Sequence, residues 1–173
     1  MEYATRRAIP EDLDRLGQLF AESLERERRT DPLLLPAGGD WRPCLQVVLR
    51  RKELLLVVLE CAGALEGYAL ARRELMTGPR PRPSLLRLLL KLPRPRPVLA
   101  PFLAVWIDDL HLTAKGRQAG GAPALGRAVQ AWARSLGAHR LGITVAESRE
   151  EALELARHLE MKERRTFHTV DLK

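Results

Sequence analysis

The segment Gly116-Arg117-Gln118-Ala119-Gly120-Gly121-Ala122-Pro123 holds the residue types that most directly permit chemistry. Small side chains at 119–122 leave successive backbone N–H groups unshielded, so phosphate oxygens can approach closely. Pro123 presets the first turn of a helix and gives up no needed donor. A helix N-terminus carries roughly +0.5 of an elementary charge, and Arg117 adds a full one. The chemistry this suits is anion binding, with a diphosphate as the natural ligand. A turn that only bends the chain would use the same glycines. The segment lacks the Lys-Ser/Thr of a nucleotide P-loop, and the spacing of Gly116, Gly120, Gly121 and Gly126 misses Gly-x-Gly-x-x-Gly.

Just upstream, Asp108, Asp109 and His111 supply titratable groups on one predicted strand. Strand alternation puts Asp108 on one face with Leu110, and Asp109 with His111 on the other. A histidine has an intrinsic pKa of about 6.5, the best match to proton transfer near neutrality. A carboxylate beside apolar Trp106 could be raised into a useful range. The competing roles are structural: either aspartate could pair with an arginine, and His111 could be a satisfied structural residue.

These groups need elements to position them. Ala4 to Ile9 reads as a short strand stopped by Pro10, and Pro10-Glu11-Asp12 opens a helix whose apolar positions are Leu13, Leu16, Leu19, Phe20 and Leu24. The stretch 31–43 is loop-like, and Trp41 to Lys52 reads as a second helix. The apolar run within Glu53 to Glu60 suits a strand covered on both faces. A turn at Ala62-Gly63 joins it to a strand over Leu65 to Leu75, making a hairpin. Then come a strand over Leu103 to Leu112, a loop over Lys115 to Gly121, and a helix from Pro123 to Leu136 ended by Gly137. The chain closes with a strand over Arg140 to Val145, a helix over Glu150 to Leu159 capped by Ser148 with Glu151 completing a capping box, and a strand over Thr166 to Leu172. That order predicts an α/β or α+β class with a mixed sheet.

Between the hairpin and the Leu103 strand, two identical Pro-Arg-Pro-Arg-Pro pentapeptides, at 79–83 and 93–97, bracket a leucine-rich stretch from Ser84 to Leu92. The flanks should be polyproline-like and the middle a short helix capped by Ser84. So many leucines are best buried against their own domain, as a wall over a ligand site, or against a second subunit in a homodimer; a basic membrane- or RNA-touching arm is the alternative.

Composition bounds the rest. At 173 residues, 46% hydrophobic and 29% charged, the chain suits one globular domain, 1–173, with the insert at about 78–101. A net charge of +7 favours anionic partners. The basic residues are scattered rather than striped, and aromatic content is only 5%, which argues against nucleic acid. Cys44 and Cys61 are too few for a disulfide framework or a zinc cluster, and two buried thiols are expected. The charged start, Met1 to Ala8, predicts no signal peptide, and no apolar run reaches the ~20 residues of a membrane span. A soluble, cytoplasmic protein is the expectation.

Three linked segments then carry a resemblance: Arg6-Arg7-Ala8-x-x-Glu11-Asp12-Leu13, the hairpin stretch Gly63 to Leu70, and Leu110-His111-Leu112 followed by Arg117-x-x-Gly120-x-Ala122 with Leu125 at the next apolar position. In this order they resemble the GNAT superfamily of acyl-CoA N-acyltransferases. The resemblance implies a mostly antiparallel central sheet flanked by helices, with the Leu103 strand splayed from its parallel neighbour. It implies acetyl-CoA as the cofactor. Backbone groups at Leu110 and Leu112 would meet the pantetheine arm, and Arg117, Gln118, Ala119, Gly120, Gly121 and Ala122 the pyrophosphate. Asp108, Asp109 and His111 become candidates for deprotonating an amine acceptor, whose identity the sequence leaves open.

The resemblance breaks in the last helix. Where the family commonly has Asn-x-x-Ala-x-x-Leu-Tyr-x-x-Leu-Gly-Phe, this chain keeps Ala152, Leu155 and Leu159. It places Arg149 at the asparagine, Ala156 at the tyrosine that usually protonates the departing thiolate, and Glu160-Met161 at Gly-Phe. His158 is a nearby alternative acid, or an exposed helix histidine. Beside an N-acetyltransferase, two other readings stay open: an acyl-CoA-binding module that has lost turnover, and a basic nucleic-acid-binding domain.

Overall fold

The computed structural model describes residues 3–30, 40–77, 101–143 and 150–161. The insert, Ser148, Arg149 and the predicted strand over Thr166 to Leu172 lie outside them. Strand β1 spans Tyr3–Arg7 and ends before Pro10, which opens a single 3-10 turn over Pro10–Asp12 rather than an α-helical one. Asp12 closes that turn by accepting the Ile9 amide at 2.9 Å and both terminal nitrogens of Arg6, at 2.7 and 2.9 Å. The chain then enters α1, Leu13–Thr30. Helix α2 spans Arg42–Arg50. Cys44 sits on its outer side and is exposed, one position from buried Leu45, so only Cys61 is a buried thiol. The expectation of two buried cysteines fails because α2 covers the sheet along one narrow stripe.

Strand β2, Leu54–Cys61, turns through Ala62 and Gly63, both at positive φ, into β3, Ala64–Met76. A two-residue turn of that kind matches the twist of a hairpin. Strand β4 spans Phe102–Leu112. A short α3 over Ala114–Gln118 and α4 over Gly121–Ser135 follow, then β5 over Arg140–Ile143 and α5 over Glu150–His158. The sheet order is β1-β2-β3-β4-β5, antiparallel through β4 and parallel between β4 and β5.

Both faces of β2 are buried, as its unbroken apolar run requires. Leu56 and Val58 pack with Leu16 and Leu19 of α1 and Leu45 of α2. Leu55, Val57 and Leu59 pack under Leu125 and Val129 of α4 and Leu155 of α5. The sheet is therefore the middle of three layers, and a fully buried leucine or valine contributes about 1.5–3 kcal/mol there. Among the described residues, parallel pairing of β4 with β5 runs from Ala104–Arg140 to Ile107–Ile143, and β4 itself extends to Leu112. No helix among the described residues is long and apolar enough to cross a membrane.

Candidate active site

Strand β4 breaks its own alternation. Across β3, Leu70 pairs with Asp109 and Ala71 with Ile107, so Asp108 is an extra residue and β4 carries a bulge there. A bulge re-aims the side chains that follow it. Ile107 and Leu110 consequently share the α4-side core despite their spacing. Arg72 lies on the opposite face of β3, with Tyr68 and Leu70, and its Nε donates to Asp108 Oδ1 at 2.9 Å. The Tyr68 hydroxyl donates to Asp109 Oδ2. Tyr68 also pairs across the ladder with His111. All three predicted residues thus come to the α1 face. The expected separation of Asp108, alongside Leu110, from Asp109 and His111 is wrong, because simple alternation has no place for a bulge.

The three differ in how they are engaged. Asp108 is exposed and ion-paired with Arg72. Asp109 is bound by a hydroxyl that is itself buried, with the Tyr68 ring stacked on Phe20 of α1 at 4.2 Å between centroids. His111 is 2% exposed, and its Nε2 makes no hydrogen bond. That atom lies 3.5 Å from Glu22 Oε2. Burial, and then the charge of Arg26, push the His111 pKa below its ordinary 6.5, against the opposing pull of Glu22 and Asp109. The imidazole is therefore neutral at pH 7.

Glu22 and Arg26 also line an open cleft of about 440 Å³ along α1, with Ala21, Glu25 and Arg29. The charged residues occupy positions i, i+3, i+4 and i+7 and so share one face. Sequence reading missed them. Their spacing was visible, but on an amphipathic helix such residues read as the solvated side, and only the packing of α1 over β4 turns that side toward His111.

Downstream, the predicted loop over Lys115 to Gly121 is largely helical. Thr113 caps α3, its Oγ1 accepting the Gly116 amide at 3.1 Å; the glycines that follow, at 116, 120 and 121, suggest a loop and mask the cap. Several loop amides are consequently consumed: Arg117 donates to Thr113 O at 3.0 Å, Ala119 to Lys115 O at 3.1 Å and Gly120 to Arg117 O at 2.9 Å. Gly120 then adopts the left-handed conformation, φ 73° and ψ 35°, as the cap of α4. The first bond back to it comes from Ala124, and Pro123 in the same first turn has no amide to donate. Among the described residues, the amides of Gly121 and Ala122 remain as first-turn donors without a helical acceptor.

Side chains around this turn sort cleanly. A Cβ on Gly120 would meet nothing within 4 Å, so that side is open. A Cβ on Gly121 would strike the Leu59 side chain at 2.4 Å and Gly116 O at 2.7 Å, and Ala122 is fully buried. Gln118 is exposed and Ala119 half-buried, while Leu110 and Leu112 are core residues. Arg117 does not direct its charge at the turn. Its Nη1 donates to Leu112 O at 2.9 Å and to Glu151 Oε1 at 2.7 Å. The head of α4 is thus open on the Gly120 side and closed at Ala122, and it lacks the free guanidinium that the sequence suggested. On α5, Ala156 is half-buried, and His158 is exposed with Nε2 3.1 Å from Arg127 Nη1.

No protein-family model and no curated protein matches this sequence. Solved structures do match its fold. The BH1408 protein of Bacillus halodurans, in a tetramutant form, aligns with a TM-score of 0.76 at 14% identity, over 98% of this chain and 99% of that one. The aminoglycoside N-acetyltransferase AAC(6')-Iy in complex with CoA aligns at 0.66 and 14% identity, over 99% and 95%. The ribosomal-protein-alanine N-acetyltransferase of Brucella melitensis biovar Abortus 2308 aligns at 0.63 and 12% identity, over 99% and 100%. With its mixed sheet, the parallel β4–β5 pair and the helix that follows β4, the chain has the fold of the GNAT N-acetyltransferases.

Proposed function

We propose that this chain is a cytoplasmic N-acyltransferase that moves an acetyl group from acetyl-CoA to a primary amine by direct attack. One observation carries the reading. The strand that carries buried His111, its Nε2 3.5 Å from Glu22 of an open cleft, runs directly into the Gly120-capped helix. A proton acceptor and an anion holder thus share one short piece of chain. Gly120 and Gly121 at the head of α4 would hold the diphosphate of acetyl-CoA, whose thioester supplies the activated acetyl group when bound.

The residues of this chain then have three tasks. Holding two reactants in place removes about 7–11 kcal/mol of barrier, the largest share in a direct transfer. Glu22 and Glu25 offer carboxylates to a cationic amine, in a cleft whose charge Arg26 and Arg29 balance. A lysine-like amine is free in only about one molecule in 2,500 at pH 7, a deficit of roughly 4.6 kcal/mol, so a proton acceptor is needed. Neutral His111 takes the proton at Nε2, and Glu22, half exposed at 3.5 Å, offers it a way to solvent. Asp109, held by Tyr68, supports the imidazolium that results, whereas Asp108 is spent on Arg72.

Ala156 favours a second reading, since its methyl group supplies no proton donor on α5: a CoA-binding module without turnover. Thiol release from acetyl-CoA across a panel of primary amines separates the two. Release above the amine-free rate supports the enzyme; CoA binding with no release from any amine selects the module.

A further inference from the structure

We propose that Glu151 is a positioning residue that fixes the diphosphate-facing turn through Arg117 and ties that turn to the cleft helix through Arg26. The inference rests on the reading that this turn holds acyl-CoA.

The Glu151 carboxylate is almost wholly buried, with a side-chain exposure of 4%. Its Oε1 accepts Arg26 Nη1 of α1 at 2.5 Å and Arg117 Nη1 of the β4–α4 connection at 2.7 Å. The same Arg117 nitrogen donates to Leu112 O at 2.9 Å, and the Arg117 carbonyl accepts the Gly120 amide at 2.9 Å. A continuous path therefore runs from Glu151 through Arg117 to Gly120, whose left-handed backbone sets the first turn of α4. Burial alone would push the Glu151 carboxyl up, but its own amide and the two arginines outweigh burial and hold it below the usual carboxylate range. The carboxylate is charged at neutral pH, and both bonds to it are charge-assisted.

A buried carboxylate shared by two arginines is a costly way to join three elements; apolar contacts of the same volume would do it as well or better. What an apolar contact could not do is hold one guanidinium against the Leu112 carbonyl in a single orientation. The path also accounts for Arg117 itself, which acts on the anion site by shaping its backbone rather than by touching the ligand.

The test uses the full chain, with CoA as the titrant in calorimetry and acetyl-CoA kinetics alongside. The wild type is compared with Glu151→Gln, Arg117→Met and the double variant, each first shown by thermal melting to be folded at the assay temperature. Each single variant should weaken CoA about tenfold, and the double variant no further, because the two residues act as one unit. The KM for acetyl-CoA should rise by the same factor while kcat falls far less. A folded Glu151→Gln variant that binds CoA like the wild type overturns the inference, as do losses that multiply in the double variant. If Glu151→Gln does not fold, Arg117→Met decides, since it leaves the Arg26–Glu151 pair in place; wild-type affinity there also overturns the inference. A wild type that fails to bind CoA removes the reading of the turn itself, and this inference with it.

Discussion

Replacing Gly120 by aspartate tests the anion site at its most accessible point. The residue sits at φ 73°, where a side chain is strained, yet its Cβ would meet nothing within 4 Å. The left-handed conformation costs an ordinary residue about 1–2 kcal/mol, and asparagine or aspartate tolerate it best. Gly120→Asn therefore reports backbone strain, and Gly120→Asp reports strain plus charge. A unit charge pair at 4 Å is worth about 1 kcal/mol in water and about 4 kcal/mol at an effective dielectric near 20. A carboxylate beside a diphosphate, able also to accept the Gly121 and Ala122 amides, should then cost at least about 2 kcal/mol, or roughly 30-fold in affinity. Calorimetric titration with CoA should show the asparagine variant within about threefold of wild type and the aspartate variant at least ~30-fold weaker. The gap should narrow at 1 M salt, where the screening length falls to about 3 Å. Equal CoA affinity for the aspartate, asparagine and wild-type chains would refute the electrostatic reasoning outright. Ala122 is unsuited to this test because it is fully buried, and a charge there would report unfolding.

Further expectations concern the base and the packing. His111→Gln should lower kcat/KM for amine acetylation by about 10²–10⁴ and leave CoA affinity near wild type; retained activity excludes His111 as the proton acceptor. Because the His111 pKa is held below 6.5, the acid limb of kcat/KM should fall below pH 6.5. Glu22→Gln removes a group that raises that pKa, so it should move the limb lower still; an upward move contradicts the assigned electrostatics. The same depressed pKa means that the unfolded chain binds this proton first. Its contribution to stability is thus complete above pH 6.5 and is lost as pH falls toward the folded value, which urea unfolding at pH 7.5 and 5.5 can measure. Gly126→Ala would place a methyl group 2.5 Å from Leu155 Cδ1. It should destabilise by about 1–3 kcal/mol in the same unfolding assay, and an unchanged midpoint would mean that α4 and α5 are less closely packed than described.

What the residues alone determined was local. The two-sided burial of β2 follows from an unbroken apolar run, and the hairpin from Ala62-Gly63. The end of α4 follows from Gly137, whose φ is 68°, and the turn ahead of α4 from the small residues that form it. Each depends on the conformational range of a few neighbouring residues, which is why order and spacing were enough to suggest the fold. The destinations of the long charged side chains were set elsewhere. Arg26 meets Glu151 across 125 residues, and Arg117 meets the same carboxylate across 34, so no local pattern could show that Arg117 is claimed before a ligand arrives. The bulge at Asp108 arises from the register between β3 and β4 rather than from the Asp-Asp pair, yet it decides which face three titratable groups share. Glu22 and Arg26 come beside His111 only because α1 lies over β4. Backbone preference is a property of sequence neighbours, whereas burial, charge pairing and the pKa of His111 belong to neighbours in space, and only the packed structure brings those together.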